Sequence, residues 1–370
     1  MKNTKTHQLV ILIAFIFFSV GSVLAKPLHV TFVVPDQKGP LFWQYVSAIA
    51  ESVADDIEIN LELIYTHSDR FALKEAINKI SNRKNKPDYL IFRPFRGNAT
   101  AVFKQLEASE IPFVTLEQDF IGKEANVIGL PREKYKYWLG QVNYDNEKGG
   151  YLLLSALIKH QRKHGNSVDL FITGIGGDNG TLSNNRTKAL YELGSFDEKI
   201  NLNQIFSFYW NPAKVKDKFN DIYRRYPETN IFWCAGDQMA LALIEKIQSS
   251  PSIQTKKISV GGFDWLPQAL EKIKSGDMAA SVGGHMLMAG VALLKIKDYD
   301  KGVDRFSHQQ KANVLEVIDT ENVQQFLPFL SKAPWPEIDF SVFLHHDKSD
   351  DSRRLFNTAN IMKLQNRQQP

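Results

Sequence analysis

The chain has 370 residues, 43% hydrophobic and 23% charged, with a formal net charge of +4. That is the composition of an ordinary globular protein long enough for two cores, and so small a positive balance speaks against a polyanionic partner such as nucleic acid. The single cysteine, Cys234, excludes an internal disulfide, so stability has to come from packing.

At the N-terminus, Lys2, Lys5 and His7 lead into an apolar run from Leu9 to Phe18, and small residues then end in Val23-Leu24-Ala25. A positive start, a short apolar stretch and a small residue before a cleavage point make a secretory signal peptide over residues 1–25, with Lys26 opening the mature chain. An uncleaved anchor is the other reading, but no charged stop-transfer cluster follows the apolar run. An exported chain with one cysteine fits a bacterial periplasm. Cys234 itself lies in Asn230-Ile-Phe-Trp-Cys-Ala-Gly-Asp237, where an apolar run meets a turn, and reads as a buried strand thiol.

From Leu28 onward a single phrase repeats: a short β-branched run, a polar or glycine-bearing loop, then a segment with helical spacing. Strands are predicted at Leu28–Val34, Ile59–Tyr65, Tyr89–Phe92, Ile111–Leu116 and Asn126–Gly129, and helices at Leu41–Ala54, Arg70–Asn82 and Ala99–Ser109. The phrase restarts with a helix at Tyr144–His160. Strands follow at Ser167–Thr173, Ile200–Phe208, Ile231–Cys234, Ile258–Gly262 and Met278–Val282, alternating with helices at Asn184–Leu193, Pro212–Tyr226, Asp237–Ser249, Leu266–Lys274 and Met286–Lys297. Alternation at this spacing implies parallel sheets covered by helices, and two runs imply two such α/β domains.

Ligands of open parallel sheets sit beyond the carboxyl ends of the strands, so the loops there carry the chemistry. After the first strand come Asp36-Gln37-Lys38-Gly39-Pro40-Leu41-Phe42-Trp43; neighbours on a helix diverge by about 100°, so at least one of Phe42 and Trp43 faces the cleft unless Trp43 packs beneath the sheet. The third strand ends in Arg93-Pro94-Phe95-Arg96, whose guanidinium forks suit hydroxyl or carboxylate oxygens; Arg96 reads equally as a solvated surface residue. The fourth ends in Thr115-Leu116-Glu117-Gln118-Asp119. Further candidates at strand ends and helix starts are Asn185, Arg186, Trp210, Asp237, Asp264, Trp265 and His285. The glycine-rich Thr173–Gly180 stretch lacks the Gly-Lys-Ser/Thr of a phosphate loop, and a helix beginning at Asn184 would not let its glycines open a helix directly. No Gly-x-Ser-x-Gly, His-Glu-x-x-His or EF-hand pattern occurs, and the His345-His346 pair lies in a tail without a framing ligand set, so no catalytic residue, metal or cofactor is expected.

Three motifs in order carry a resemblance. Asp145-Asn146-Glu147-Lys148-Gly149-Gly150, Ala235-Gly236-Asp237-Gln238-Met239-Ala240-Leu241, and Val260-Gly261-Gly262-Phe263-Asp264 with the helix after it are similar to signatures of the type I periplasmic binding proteins, the group of ribose-binding, autoinducer-2-binding and sugar ABC-transporter substrate-binding proteins. The resemblance covers about Leu28 to Tyr299. It implies two doubly wound parallel-sheet lobes joined by three hinge segments: 26–118 as the first lobe, with about 265–300 returning to it, 119–264 as the second, and 301–370 as a last hinge crossing and tail. It also implies stacking aromatics at Phe42, Trp43 and Trp210 and hydrogen-bonding residues at Arg96, Arg186 and Asp264. Gly236 stands where the family has an amide side chain, Pro40 and Gly284 stand where polar residues are common, and His285 is expected to replace the lost group. The function implied is a monomeric periplasmic protein that captures a small sugar-like ligand and delivers it to a membrane ABC permease, with presentation to a sensor histidine kinase or diguanylate cyclase as the alternative. Pro334-Trp335-Pro336 and Ile338–Ser341 exceed what such a protein needs and either extend a lobe or form a docking surface.

Overall fold

A computed structural model describes residues 26–36, 41–67, 69–165, 167–193, 198–254, 257–306, 315–345 and 355–368. The expected signal peptide, Pro40 and His346 lie outside these residues. The first lobe is a parallel sheet of β1 (Leu28–Val34), β2 (Ile59–Tyr65), β3 (Tyr89–Phe92), β4 (Phe113–Leu116) and β5 (Trp138–Val142), in the order β2-β1-β3-β4-β5. Between these strands run α1 (Leu41–Asp56), α2 (Arg70–Ser81), α3 (Ala99–Ala108) and α4 (Gly122–Ile128). β3 and β4 are buried along their whole length, as strands covered on both faces must be. Leu73, Ile77, Val102, Phe103 and Leu106 of α2 and α3 pack with Leu90, Phe92 and Phe113 on one face of the sheet, and α1 covers the other.

Residues 126–129 are not the strand that their β-branched run suggests. They end α4, with Val127 exposed and only Ile128 of that helix buried. The fifth strand is Trp138–Val142, where the Trp138 indole donates to Thr115 Oγ1 at 3.1 Å and to the Gly140 carbonyl at 3.0 Å. The first lobe therefore continues to Val142, beyond the boundary expected at residue 118.

The second sheet contains β6 (Leu170–Gly176), β7 (Ile200–Ser207), β8 (Ile231–Cys234), β9 (Ser259–Phe263), β10 (Ala280–Gly283) and β11 (Glu316–Asp319), in the order β11-β10-β9-β8-β6-β7. Only β11 runs antiparallel to its neighbour. Its helices are α5 (Asn146–His164), α6 (Thr181–Tyr191), α7 (Pro212–Arg225), α8 (Asp237–Gln248), the short α9 (Pro251–Gln254), α10 (Pro267–Ser275) and α12 (Val323–Lys332). Cys234 is fully buried at the end of β8, and burial pushes its thiol up, away from thiolate chemistry.

Residues 265–300 do not return to the first lobe as one block. α10 packs on α8 and α12, and β10 pairs within the second sheet; the turn His285–Leu287 and α11 (Met288–Asp300) pack on α1, and α11 also on β5. The chain crosses between lobes at Asn143–Asp145, at Gly284–Leu287, and between α11 and β11. A further crossing after α12 carries the tail back. There the turns Trp335–Glu337 and Phe340–Phe343 pack on α1, the Phe340 amide donates to Asp56 Oδ2 at 2.7 Å, and Phe356 lies against Phe340 and Phe343. This tail, closing with α13 (Thr358–Gln368), thus extends the first lobe.

Candidate ligand-binding cleft

The carboxyl ends of both sheets face a cavity of about 790 Å³ between the lobes, within the usual range of about 300–1,000 Å³ for small-molecule sites. The first lobe contributes Asp36, Phe42, Trp43, Arg93, Phe95 and Glu117; the second contributes Asp178, Leu182, Arg186, Tyr209, Trp210, Gln238, Met239 and Asp264. His285 enters from the second crossing segment. The lobes touch beside the cavity: Arg96 Nη1 donates to the Asn179 carbonyl at 3.3 Å, and Gln118 Nε2 reaches Thr181 Oγ1 at 3.5 Å.

Both aromatics at the start of α1 line the cavity and are half-buried. The Phe42 ring lies 4.8 Å from His285 and meets Trp43 edge-on at 5.3 Å. Across the cleft, Trp210 rests on Gly177, where an added Cβ would lie 2.2 Å from the indole, so the glycine there is a floor for the ring. The helix following this glycine-rich loop starts at Thr181, directly after Gly180, three residues earlier than the sequence suggests. Asn185 and Arg186 accordingly lie within α6. Arg186 turns inward while Asn185, a neighbour about 100° around the helix, does not reach the cavity.

Arg186 is 2% exposed and fully engaged. Nε donates to Asn146 Oδ1 at 2.9 Å, Nη1 to the Ala235 carbonyl at 2.8 Å, and Nη2 lies 3.2 Å from His285 Nε2. Asp264 Oδ1 stands 3.7 Å from Nη1 and 3.1 Å from His285 Nε2, and the guanidinium covers the Phe263 ring at 4.3 Å. Burial pulls the guanidinium pKa down, and the carboxylates of Asp264 and Glu117 oppose that pull. This network bolts both neighbouring crossing segments, through Asn146 and His285, to the floor of the second lobe.

Two expected site residues are struts beneath the cleft. Asp237 is fully buried at the start of α8, accepting from the Leu266 amide at 3.0 Å and from Ser281 Oγ at 2.8 Å. Burial, then the charge of Asp264, pushes its carboxyl well above the usual range. Trp265 is 1% exposed, donates to the Ser281 carbonyl at 3.1 Å and packs on Phe326. Arg96 lies outside the cavity, on the lobe-to-lobe contact already described.

The loops that aim the lining are strained. Glu117, Tyr209, Trp210 and Asp264 adopt φ of +52°, +54°, +62° and +114° at the ends of β4, β7 and β9, conformations that cost non-glycine residues about 1–3 kcal/mol each and concentrate where ligands are held. Asp36, Phe95, Asp178, Leu182, Tyr209, Gln238 and Met239 line the cavity in addition to the residues expected from the sequence. All lie in loops or helix starts already flagged, and their place beyond a strand end was the available signal.

The chain matches the periplasmic binding protein domain family over residues 30–296 and belongs to that family. Its fold superimposes on a periplasmic sugar-binding protein from Pseudomonas fluorescens with a TM-score of 0.79 at 19% identity, covering 90% of this chain and 99% of that one. An ABC transporter solute-binding protein from Actinobacillus succinogenes with bound D-allose gives a TM-score of 0.69 at 19% identity, covering 81% of this chain and all (100%) of that one. In sequence, the chain is 25% identical to the D-allose-binding periplasmic protein of Escherichia coli over 116 residues, a stretch that spans 31% of this chain and 37% of that protein.

Proposed function

We propose that this chain is a periplasmic solute-binding protein that holds a sugar or sugar-like polyol between its lobes and delivers it to a membrane ABC importer. The observation that carries this reading is the lining of the interlobe cleft: Trp43 and Trp210 stand on opposite lobes, and buried polar atoms of Arg93, Glu117 and His285 have no hydrogen-bond partner among the described residues. Indole faces suit the C–H faces of a sugar ring, and its hydroxyls supply the donors and acceptors that those orphan atoms lack. Relatives whose names record allose, arabinofuranose and myo-inositol support the same ligand class. Export through residues 1–25, with maturation near Lys26, belongs to this reading.

Because ligand groups come from both lobes, bound ligand stabilises the closed arrangement by its differential affinity for it. Small-angle scattering of the mature protein, titrated with D-allose, L-arabinose and myo-inositol, tests this. At least one should raise the melting temperature and reduce the radius of gyration. Saturation without compaction would remove the delivery mechanism.

A further inference from the structure

Glu117 is 6% exposed, lines the cleft, and its Oε1 has no hydrogen-bond partner. Its backbone is held in a left-handed conformation, φ +52°, with the amide donating to the Val142 carbonyl at 2.9 Å, which aims the residue into the cleft. A buried carboxylate of this kind accepts hydrogen bonds and cannot donate them, so a ligand bound against it must bring donors to satisfy it.

The positive charges of the cleft do not offset it. Arg186 is spent on Asn146, Ala235, His285 and Asp264. Arg93 remains, with its guanidinium 5.8 Å over the Phe95 ring and its Nε unpartnered, while the carboxylates of Asp36 and Asp178 add negative charge to the lining. The field of Glu117 reaches its surroundings: burial first, then the Glu117 charge, raises the Tyr144 hydroxyl, and Glu117 is among the charges raising Asp119.

We infer that Glu117 sets the charge selectivity of the cleft, admitting uncharged polyhydroxylated ligands and rejecting counterparts that carry a carboxylate or phosphate. The inference rests on the sugar-binding reading and narrows it. A neutral ligand donates hydroxyl protons to Oε1; an anionic one brings acceptors and a like charge against a buried carboxylate, where repulsion is stronger than in bulk water.

Calorimetric titration of the full mature chain with matched probes tests it: D-galactose against D-galacturonate, D-glucose against D-glucuronate, and myo-inositol against myo-inositol 1-phosphate. For whichever neutral probe binds, the anionic counterpart should bind at least ~30-fold more weakly, and Glu117→Gln should shrink that gap below ~5-fold. In the absence of ligand, Glu117→Gln should melt at or above the wild-type temperature, since it relieves an unpartnered buried charge. An anionic probe that binds as tightly as its neutral counterpart, or a gap that survives Glu117→Gln, overturns the charge-selectivity claim and leaves solute binding standing. A Glu117→Gln protein that melts several degrees lower shows the carboxylate serving the fold and overturns it without any ligand. If no probe of either charge binds, the claim that the cleft admits uncharged polyhydroxylated ligands of this kind is overturned, and the D-allose and L-arabinose titrations decide separately whether the sugar reading stands.

Discussion

The interlobe cleft and a groove beside α1 enclose nearly the same volume, about 790 and 780 Å³, yet they are built differently. The groove is walled by Tyr45, Ala48 and Asp55 of α1, Ile59–Leu61 of β2, Ala333 at the end of α12, and Trp335 and Pro336 of the tail. Its carboxylates Glu51, Asp55 and Asp56 are on exposed residues, and Asp56 is already used by the Phe340 amide. Its one left-handed residue, Ala333 at φ +47°, caps the end of α12, an ordinary place for that conformation. The cleft instead draws its lining from the carboxyl ends of both sheets, concentrates strain in the loops that line it, and, among the described residues, leaves buried polar atoms of Arg93, Glu117 and His285 unpartnered, against the Trp335 indole nitrogen alone in the groove. Volume therefore does not mark the site. A ligand in the groove would touch mainly α1, β2 and the tail and none of the loops at the carboxyl ends of the second sheet, whereas one in the cleft bridges the carboxyl ends of both sheets and so has leverage on lobe closure.

The largest effect that separates the two cavities should come from Arg186→Ala. Breaking a buried, hydrogen-bonded charge pair costs about 3–5 kcal/mol, so the variant should lose measurable sugar binding and melt at a lower temperature, with Asp264 and His285 left uncompensated. Binding retained within a few-fold would show that the network does not organise the cleft. Trp43→Ala should follow, weakening binding by about 1–3 kcal/mol through lost stacking area. Tyr45→Phe and Glu51→Gln in the groove should leave affinity unchanged within ~2-fold. An equal loss from groove and cleft variants in titration calorimetry would erase the distinction.

The struts beneath the cleft give a smaller, pH-dependent effect. Asp237 has its carboxyl pKa raised in the folded protein by burial and by Asp264. Below the ordinary carboxyl pKa of about 4 it is protonated in both folded and unfolded chains; above it the unfolded chain ionises first. The stability tied to this group is thus present in acid and is lost as pH rises from there through the folded pKa. Asp237→Asn can still accept from the Leu266 amide and donate to Ser281 Oγ, so denaturant melts from pH 4 to 8 should show a flatter stability profile for the variant. An unchanged profile would mean that Asp237 is ionised throughout.

Strands with β-branched runs and clear flanks, such as Leu28–Val34 and Ile231–Cys234, were legible because a strand buried on both faces has little choice of residue. Trp138-Leu-Gly-Gln-Val142 was not, since Gly140 and Gln141 break the apolar run and the strand is held by a Trp138–Thr115 hydrogen bond between distant parts of the chain. The antiparallel β11 and the returning tail were illegible for a related reason: their partners lie far away in the chain, β11 on β10 and α5, and the tail's turns on α1. At the cleft, position beyond a strand end identified Phe42, Trp43, Glu117, Arg186 and Trp210. It did not separate Asp264, which faces the cavity, from Trp265 and Asp237, which face the core. That difference turns on backbone geometry, including the φ of +114° at Asp264, which no local pattern announces.

The most direct test of the central claim is a crystal structure of the mature protein with whichever neutral sugar raises its melting temperature most. The account predicts electron density between Trp43 and Trp210, with hydroxyls on Glu117 and Arg93, and an empty groove beside α1. Density in that groove with the cleft unoccupied would contradict it.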